Sequence, residues 1–200
     1  FVSGTVNPDF GQVEADNVQV NLSRFSLFFP EKREFFLERS GLFEHGNSQS
    51  TQTFFSRRIG LVESILAGAR VTGQVGPFSG GVLNIETGPN LGDIFGSQSS
   101  NNTVARLRAD VMPRATVGAI VTNLAQDRGA AGASDVQSNT ALGVDGQIRF
   151  GTNSEAEAWF TNVWDPDPMR EGSAGHARAR YETDRVAAQA SYTSVYATYF

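Results

Sequence analysis

From residue 69 onward, apolar and polar residues alternate with a period of two, the signature of half-buried strands. Ala69, Val71, Gly73 and Val75 alternate with Arg70, Thr72 and Gln74; Ala105, Leu107, Ala109 and Val111 with Arg106, Arg108 and Asp110; Leu142, Val144, Gly146, Ile148 and Phe150 with Gly143, Asp145, Gln147 and Arg149; Ala177, Ala179 and Tyr181 with His176, Arg178, Arg180 and Glu182. Each strand is followed by a short turn and a returning strand, at 78–87, 116–123, 155–164 and 185–200. Four hairpins are predicted, beginning about 36 residues apart with no shared residue signature, so they are not a solenoid. The connections between hairpins, at 88–103, 125–139 and 165–175, are long and rich in Gly, Ser, Asn and Asp.

The chain before residue 69 has a different texture. Residues 2–6 and 12–22 are weakly strand-like, with turn chemistry at Asn7-Pro8-Asp9. Residues 25–44 are dense in Phe, carboxylates and Arg. Pro30 is placed to open a short helix, with Glu31 and Glu34 near its positive end and Phe35, Phe36 and Leu37 on an apolar face. Residues 46–53 read as a polar loop and 54–59 as a short strand or extended lining segment.

No run approaches the roughly 20 apolar residues of a membrane-crossing helix. Strands escape that test, because their apolar residues never form a run. Short turns at one end, long loops at the other, and aromatics near strand ends (Phe78, Phe150, Trp164, Tyr181, Tyr196, Tyr199) favour a membrane barrel over a two-sheet sandwich. So do apolar faces built on Ala and Gly, which fill a thick core poorly. The fold class expected is all-β: an antiparallel up-and-down transmembrane β-barrel, in part. Residues 1–67 supply the first strand or strands and a segment folded into the lumen; residues 68–200 supply about eight wall strands of the same domain. If the short turns are periplasmic, strand parity requires an odd number of outward crossings before residue 69, and 12–22 is the expected one. Closure calls for more strands beyond Phe200.

The chain has no Cys, which excludes disulfides, Cys-based zinc sites and a Cys nucleophile. A net charge of −5 argues against nucleic-acid binding. Lys32 is the only lysine.

Four blocks carry a resemblance: NPDFGQVEAD at 7–16, VNLSRFSLFFPEKREFFLE at 20–38, FFSRRIG at 54–60 and ILAGARVTGQVG at 65–76. In this order and spacing they resemble a bacterial outer-membrane β-barrel family of unassigned function, whose barrel usually follows a carbohydrate-binding-like (family 9) β-sandwich. The resemblance implies an outer-membrane location and marks this sequence as an internal fragment covering the start of the barrel. It supplies no catalytic residues.

The candidate ligand or lumen residues are Asp9, Glu14, Asp16, Glu31, Lys32, Arg33, Glu34, Arg57 and Arg58. Asp9, Glu14 and Asp16 offer oxygens for a hard cation, but too few for a calcium loop, so lining a polar lumen or pairing with Arg57 and Arg58 is favoured. Glu31-Lys32-Arg33-Glu34 reads as a gate or, preferably, as a latch whose charges pair with wall residues such as Arg70, Arg106, Arg108 and Asp110. Arg57 and Arg58, as strand neighbours, point to opposite faces and do not form one clamp. No nucleophile motif surrounds a serine near His45 or His176. Glu155 and Glu157 share a strand face, as lumen residues commonly do. Trp159 and Val163 interrupt a polar face and suit either a sugar or the plug.

The expectation is an outer-membrane channel or receptor, with glycan binding or uptake entering through the upstream domain of the resembled family. The alternatives are a structural or assembly component with a plugged lumen and an outer-membrane hydrolase. No cofactor and no metal is expected. The partners expected are outer-membrane lipid, a glycan or small solute, and the barrel-assembly machinery during insertion.

Overall fold

The computed structural model describes residues 1–8, 31–47, 51–60, 63–88, 99–127 and 136–196. Its described elements are β1 (Val2–Val6), α1 (Glu34–Leu37), β2 (Gly46–Asn47), β3 (Thr51–Gln52), β4 (Ser64–Val75), β5 (Phe78–Gly88), β6 (Ser100–Met112), β7 (Ala115–Asp127), β8 (Val136–Phe150), β9 (Ser154–Trp164), β10 (Gly172–Glu182) and β11 (Ala187–Val195). Nine strands form one antiparallel up-and-down sheet in the order β1-β4-β5-β6-β7-β8-β9-β10-β11, and β2 and β3 pair separately. The sheet is open, with β1 and β11 at its edges. The four expected hairpins are β4–β5, β6–β7, β8–β9 and β10–β11. Gly76 and Gly151 take positive φ in two of the turns, where a side chain is disfavoured.

The strand beside β4 is β1, with Val2 opposite Val71 and Val6 opposite Ala67. The strand seen beside β4 is thus residues 2–6. Residues 12–22, the expected crossing, lie outside the described residues.

The two faces of the sheet differ. On one, Leu107, Val117, Val121, Leu142, Val144, Ile148 and Phe160 are exposed. Along β8 this bare face runs from Leu142 to Phe150 at a rise of about 3.3 Å per residue, or about 26 Å. It is bounded at the turn end by Phe78, Phe150 and Tyr181 and at the loop end by Trp164 and Tyr196, all exposed. Beyond it toward the long loops lies a polar ladder. Asn84 Nδ2 donates to Asn101 Oδ1 (2.8 Å) and Thr103 Oγ1 (2.7 Å), Asn101 Nδ2 to Glu86 Oε2 (2.6 Å), and Asn123 Nδ2 to Thr140 Oγ1 (2.8 Å).

The opposite face carries Arg70, Thr72, Arg106, Asp145 and Thr161, and residues 31–47 and 51–60 lie across it. Phe36, Phe43 and Ile59 of that segment are buried with Ile65, Leu83, Ile85, Val104 and Ile120 of the sheet. Phe35, Leu42 and Phe54 pack around them.

Within this segment the local expectations are partly corrected. The helix is a single turn, Glu34–Leu37, capped by Arg33 in an extended conformation. Residues Ser56–Arg58 form a 3₁₀ turn instead of an extended lining strand. Opposite-facing strand geometry therefore does not apply to Arg57 and Arg58.

With β1 and β11 at the edges of the sheet among the described residues and the apolar face bare, the 200-residue chain expressed alone in aqueous buffer is expected to show no cooperative melt. Differential scanning calorimetry checks this; a sharp two-state transition contradicts it.

Candidate functional site

The charged cluster at 31–34 closes on itself. Arg33 Nε donates to Glu31 Oε1 (2.9 Å) and Arg33 Nη2 to Glu31 Oε2 (2.8 Å), a two-point pair. Ser56 Oγ donates to Glu31 Oε2 (2.6 Å), and the backbone N–H groups of Lys32 and Arg33 point at Glu31 Oε1. The same guanidinium donates to the carbonyls of Ile59 (2.6 Å) and Ser56 (2.7 Å) and sits 4.2 Å above the Phe36 ring. Burial alone raises the Glu31 carboxyl. The hydrogen bonds from Arg33 and Ser56, with the Arg33 charge, overcome it and hold Glu31 at about 2 against an ordinary 4.5. These bonds tie residues 31–33 to 56–59 of the same segment. Glu34 is exposed in the first helical turn, Lys32 and Arg57 are half-buried, and Arg58 is exposed. Asp9, Glu14 and Asp16 lie outside the described residues.

The wall is reached by residues 38–45. Arg70, 2 % exposed, donates through Nη1 to the Glu38 carbonyl (2.5 Å) and through Nη2 to Glu38 Oε2 (3.1 Å), with the Phe35 ring 5.3 Å away. Arg106, also buried, donates through Nε to the Leu42 carbonyl (3.3 Å) and pairs through Nη1 with Asp145 (2.5 Å). Arg106 lies over Gly118, where a Cβ would meet its Nη2 at 2.8 Å.

His45 is the third tie. Its Nε2–H donates to the Val144 carbonyl (3.3 Å), which leaves Nδ1 as acceptor for the hydroxyls of Thr53 (2.9 Å) and Thr161 (3.3 Å). The two threonine hydroxyls are themselves 3.0 Å apart. Burial lowers the His45 pKa and keeps the ring neutral, with Asp145 pulling the other way from 3.8 Å. The ring fits over Gly143, where a Cβ would come within 2.5 Å of His45 Cε1. Sequence reasoning did not select His45 for this role. Its signal is an inward glycine, Gly143, at the centre of the most regular strand, which marks a close approach.

The His45–Thr53–Thr161 cluster divides the covered face. Toward the long loops is a space of about 490 Å³ bordered by Thr53, Arg58, Gln126, Asn139 and Arg170. Toward the turns is one of about 520 Å³ bordered by His45, Asp145, Trp159, His176 and Arg178. The latter shares Arg108 and Gln147 with a wider vestibule of about 1070 Å³ at the turn end.

The residues weighed for hydrolysis are engaged otherwise. His176 Nδ1 is hydrogen-bonded to Thr193 Oγ1 (2.7 Å). Glu155 and Glu157 both pair with Arg178, at 3.0 Å and 3.1 Å. Among the described residues no cluster of His, Asp and Glu is arranged to hold a metal ion.

Residues 3–70 match the model of a domain of unknown function, DUF5916. The match takes in β1, the inward segment and about half of β4, and is to a family with no assigned activity. No curated protein and no solved structure matches the chain.

The Glu31 latch gives a signed pH dependence. Its folded pKa of about 2 lies below the ordinary 4.5, so its stabilisation is complete above that value and is lost as pH falls toward 2. The expected loss is about 2–3 kcal/mol. In the intact parent protein, protection against hydrogen exchange across 31–47 and 51–60, taken relative to the intrinsic rate at each pH, should fall over that window, and Glu31→Gln should flatten the dependence. An unchanged profile in Glu31→Gln contradicts the latch.

Proposed function

We propose that this chain is the first part of an outer-membrane β-barrel, a channel or receptor for small polar solutes, in which residues 31–60 fill the lumen. The observation that carries the reading is the orientation of the sheet's faces. A water-immersed sheet buries its apolar face and exposes its polar one. Here the Val/Leu/Ala face is bare and the Arg/Asp/Thr face is covered, as expected when lipid lies outside and a polar lumen inside. The bare stretch of β8, tilted by the ~40° usual in such barrels, spans about 20 Å, close to the ~25 Å apolar band of this class. Phe78, Phe150 and Tyr181 at one end and Trp164 and Tyr196 at the other take the places of interfacial girdles.

The test uses the intact parent protein, purified from the outer-membrane fraction in detergent. Its gel mobility should depend on boiling. Leu107→Arg, in the middle of the bare band and 55 % exposed, should cost about 2–4 kcal/mol in lipid. At a wetted surface the same change should stay within about 0.5 kcal/mol. A soluble parent with no heat shift and a neutral Leu107→Arg overturns the proposal.

A second reading, a structural component whose lumen stays sealed, is favoured by the septum of His45, Thr53 and Thr161. Gly143→Ala, whose methyl displaces the His45 ring at a cost of about 1–3 kcal/mol, separates the two. In planar bilayers this variant should raise ion conductance if the septum is all that closes a pore. Unchanged conductance from a folded variant favours the scaffold.

A further inference from the structure

We propose that the space of about 520 Å³ beside Trp159 is a binding site for a neutral saccharide, entered through the turn-end vestibule. The inference deepens the channel-or-receptor reading and rests on it. The volume falls within the roughly 300–1,000 Å³ of small-molecule sites.

Three features define the ligand. The first is an aromatic platform. Trp159 and His176 are register partners on β9 and β10, with rings 6.2 Å apart and inclined by only 22°. Trp159 is half-buried and makes a T-shaped pair with His45, with ring centroids 6.0 Å apart. The part of the indole that His176 and His45 leave uncovered borders the polar cavity and suits the C–H groups of a pyranose, which are apolar while its rim is not.

The second feature is the set of groups around the platform. Glu157 is the register partner of Arg178, which it holds at 3.1 Å, and Glu155 holds Arg178 at 3.0 Å. Arg106 and Asp145 form a second fixed pair. Such paired carboxylates and guanidinium groups present acceptors and donors side by side, as vicinal hydroxyls require. They sit on strands and hold one another in place, so little ordering is needed on binding.

The third feature is the charge. The lining holds three arginines, Arg106, Arg108 and Arg178, and three carboxylates, Glu44, Asp145 and Glu157, so it sums to zero. A phosphate, sulfate or uronate site needs an excess of cations, and a polyamine site the reverse. A balanced polar lining beside an aromatic ring selects an uncharged polyhydroxylated ligand. The larger vestibule is lined mostly by charged and polar residues and by no aromatic, which suits passage more than capture.

The intact parent protein, folded in detergent as judged by its heat-dependent mobility, is titrated calorimetrically with hexaoses of glucose, N-acetylglucosamine, mannose and xylose, and with a galacturonate hexamer as the anionic contrast. One or more neutral hexaoses should bind. Trp159→Ala should weaken that binding at least about tenfold, while Trp159→Phe, which keeps a ring in place, should stay within a few-fold. Both variants should keep the heat shift. The saccharide site is overturned if no neutral hexaose binds at millimolar concentration, if galacturonate binds in preference, or if Trp159→Ala binds like the parent. Loss of the heat shift in the unmutated protein instead overturns the barrel reading beneath it.

Discussion

The covered face of the sheet holds buried charge, and most of the structure follows from settling it. Arg70 and Arg106 are 2 % and 3 % exposed. An unpaired guanidinium in such a place costs several kcal/mol, so partners must be carried to it. Asp145 comes from the wall itself, two strands away from β6. Glu38 and the Leu42 carbonyl come from residues 31–60. The Phe-rich segment is thus tied to the sheet by two different forces at the same place. Its carbonyls and Glu38 answer the arginines, and its Phe36 and Phe43 bury against Leu83, Ile85 and Ile120. Either alone leaves a defect: charges without partners, or aromatic rings without cover.

Glycine makes that approach possible. The inner face of the wall carries Gly68, Gly81, Gly118 and Gly143. A Cβ at these positions would meet, respectively, Ile85, Thr72, Arg106 and His45 at 2.5–2.8 Å. Two of the four make room for the ties themselves, Gly118 under Arg106 and Gly143 under His45. The composition that makes the sheet a poor candidate for a thick apolar core is the composition that admits a second layer against a charged wall.

The hairpins were legible because period-two alternation survives wherever one strand face is apolar. The strand ends were not. β6 begins at Ser100, and β7 and β8 extend to Asp127 and back to Val136, through Asn, Ser, Thr and Gln that read as loop. Those residues bond side chain to side chain across the strands, as Asn84, Asn101 and Asn123 do, and no apolar period marks such a ladder. The segment at 31–60 was legible as a packed, charge-rich insert but not in its wiring. Glu31 and Arg33 are two residues apart and satisfy each other with help from Ser56 and Ile59. Sequence distance to the wall arginines says nothing about that local solution. His45 had no motif around it; its partners Thr53 and Thr161 are 8 and 116 residues away.

The latch and the ties have different consequences for movement. Residues 31–33 and 56–59 are bound to each other by hydrogen bonds that do not involve the sheet. The segment's polar attachments to the sheet come from Glu38, Leu42 and His45, with Thr53 adding a contact to Thr161. Withdrawing it, however, exposes Phe36, Phe43 and Ile59 as well, each worth about 1.5–3 kcal/mol of burial. A ligand can displace the segment only by the difference in its affinity for the two states, and a micromolar ligand has about 8 kcal/mol in total. The burial terms and the Arg70 and Arg106 ties together exceed that. The magnitudes therefore favour a segment that stays docked, since a ligand of ordinary affinity lacks the free energy to expel the whole insert.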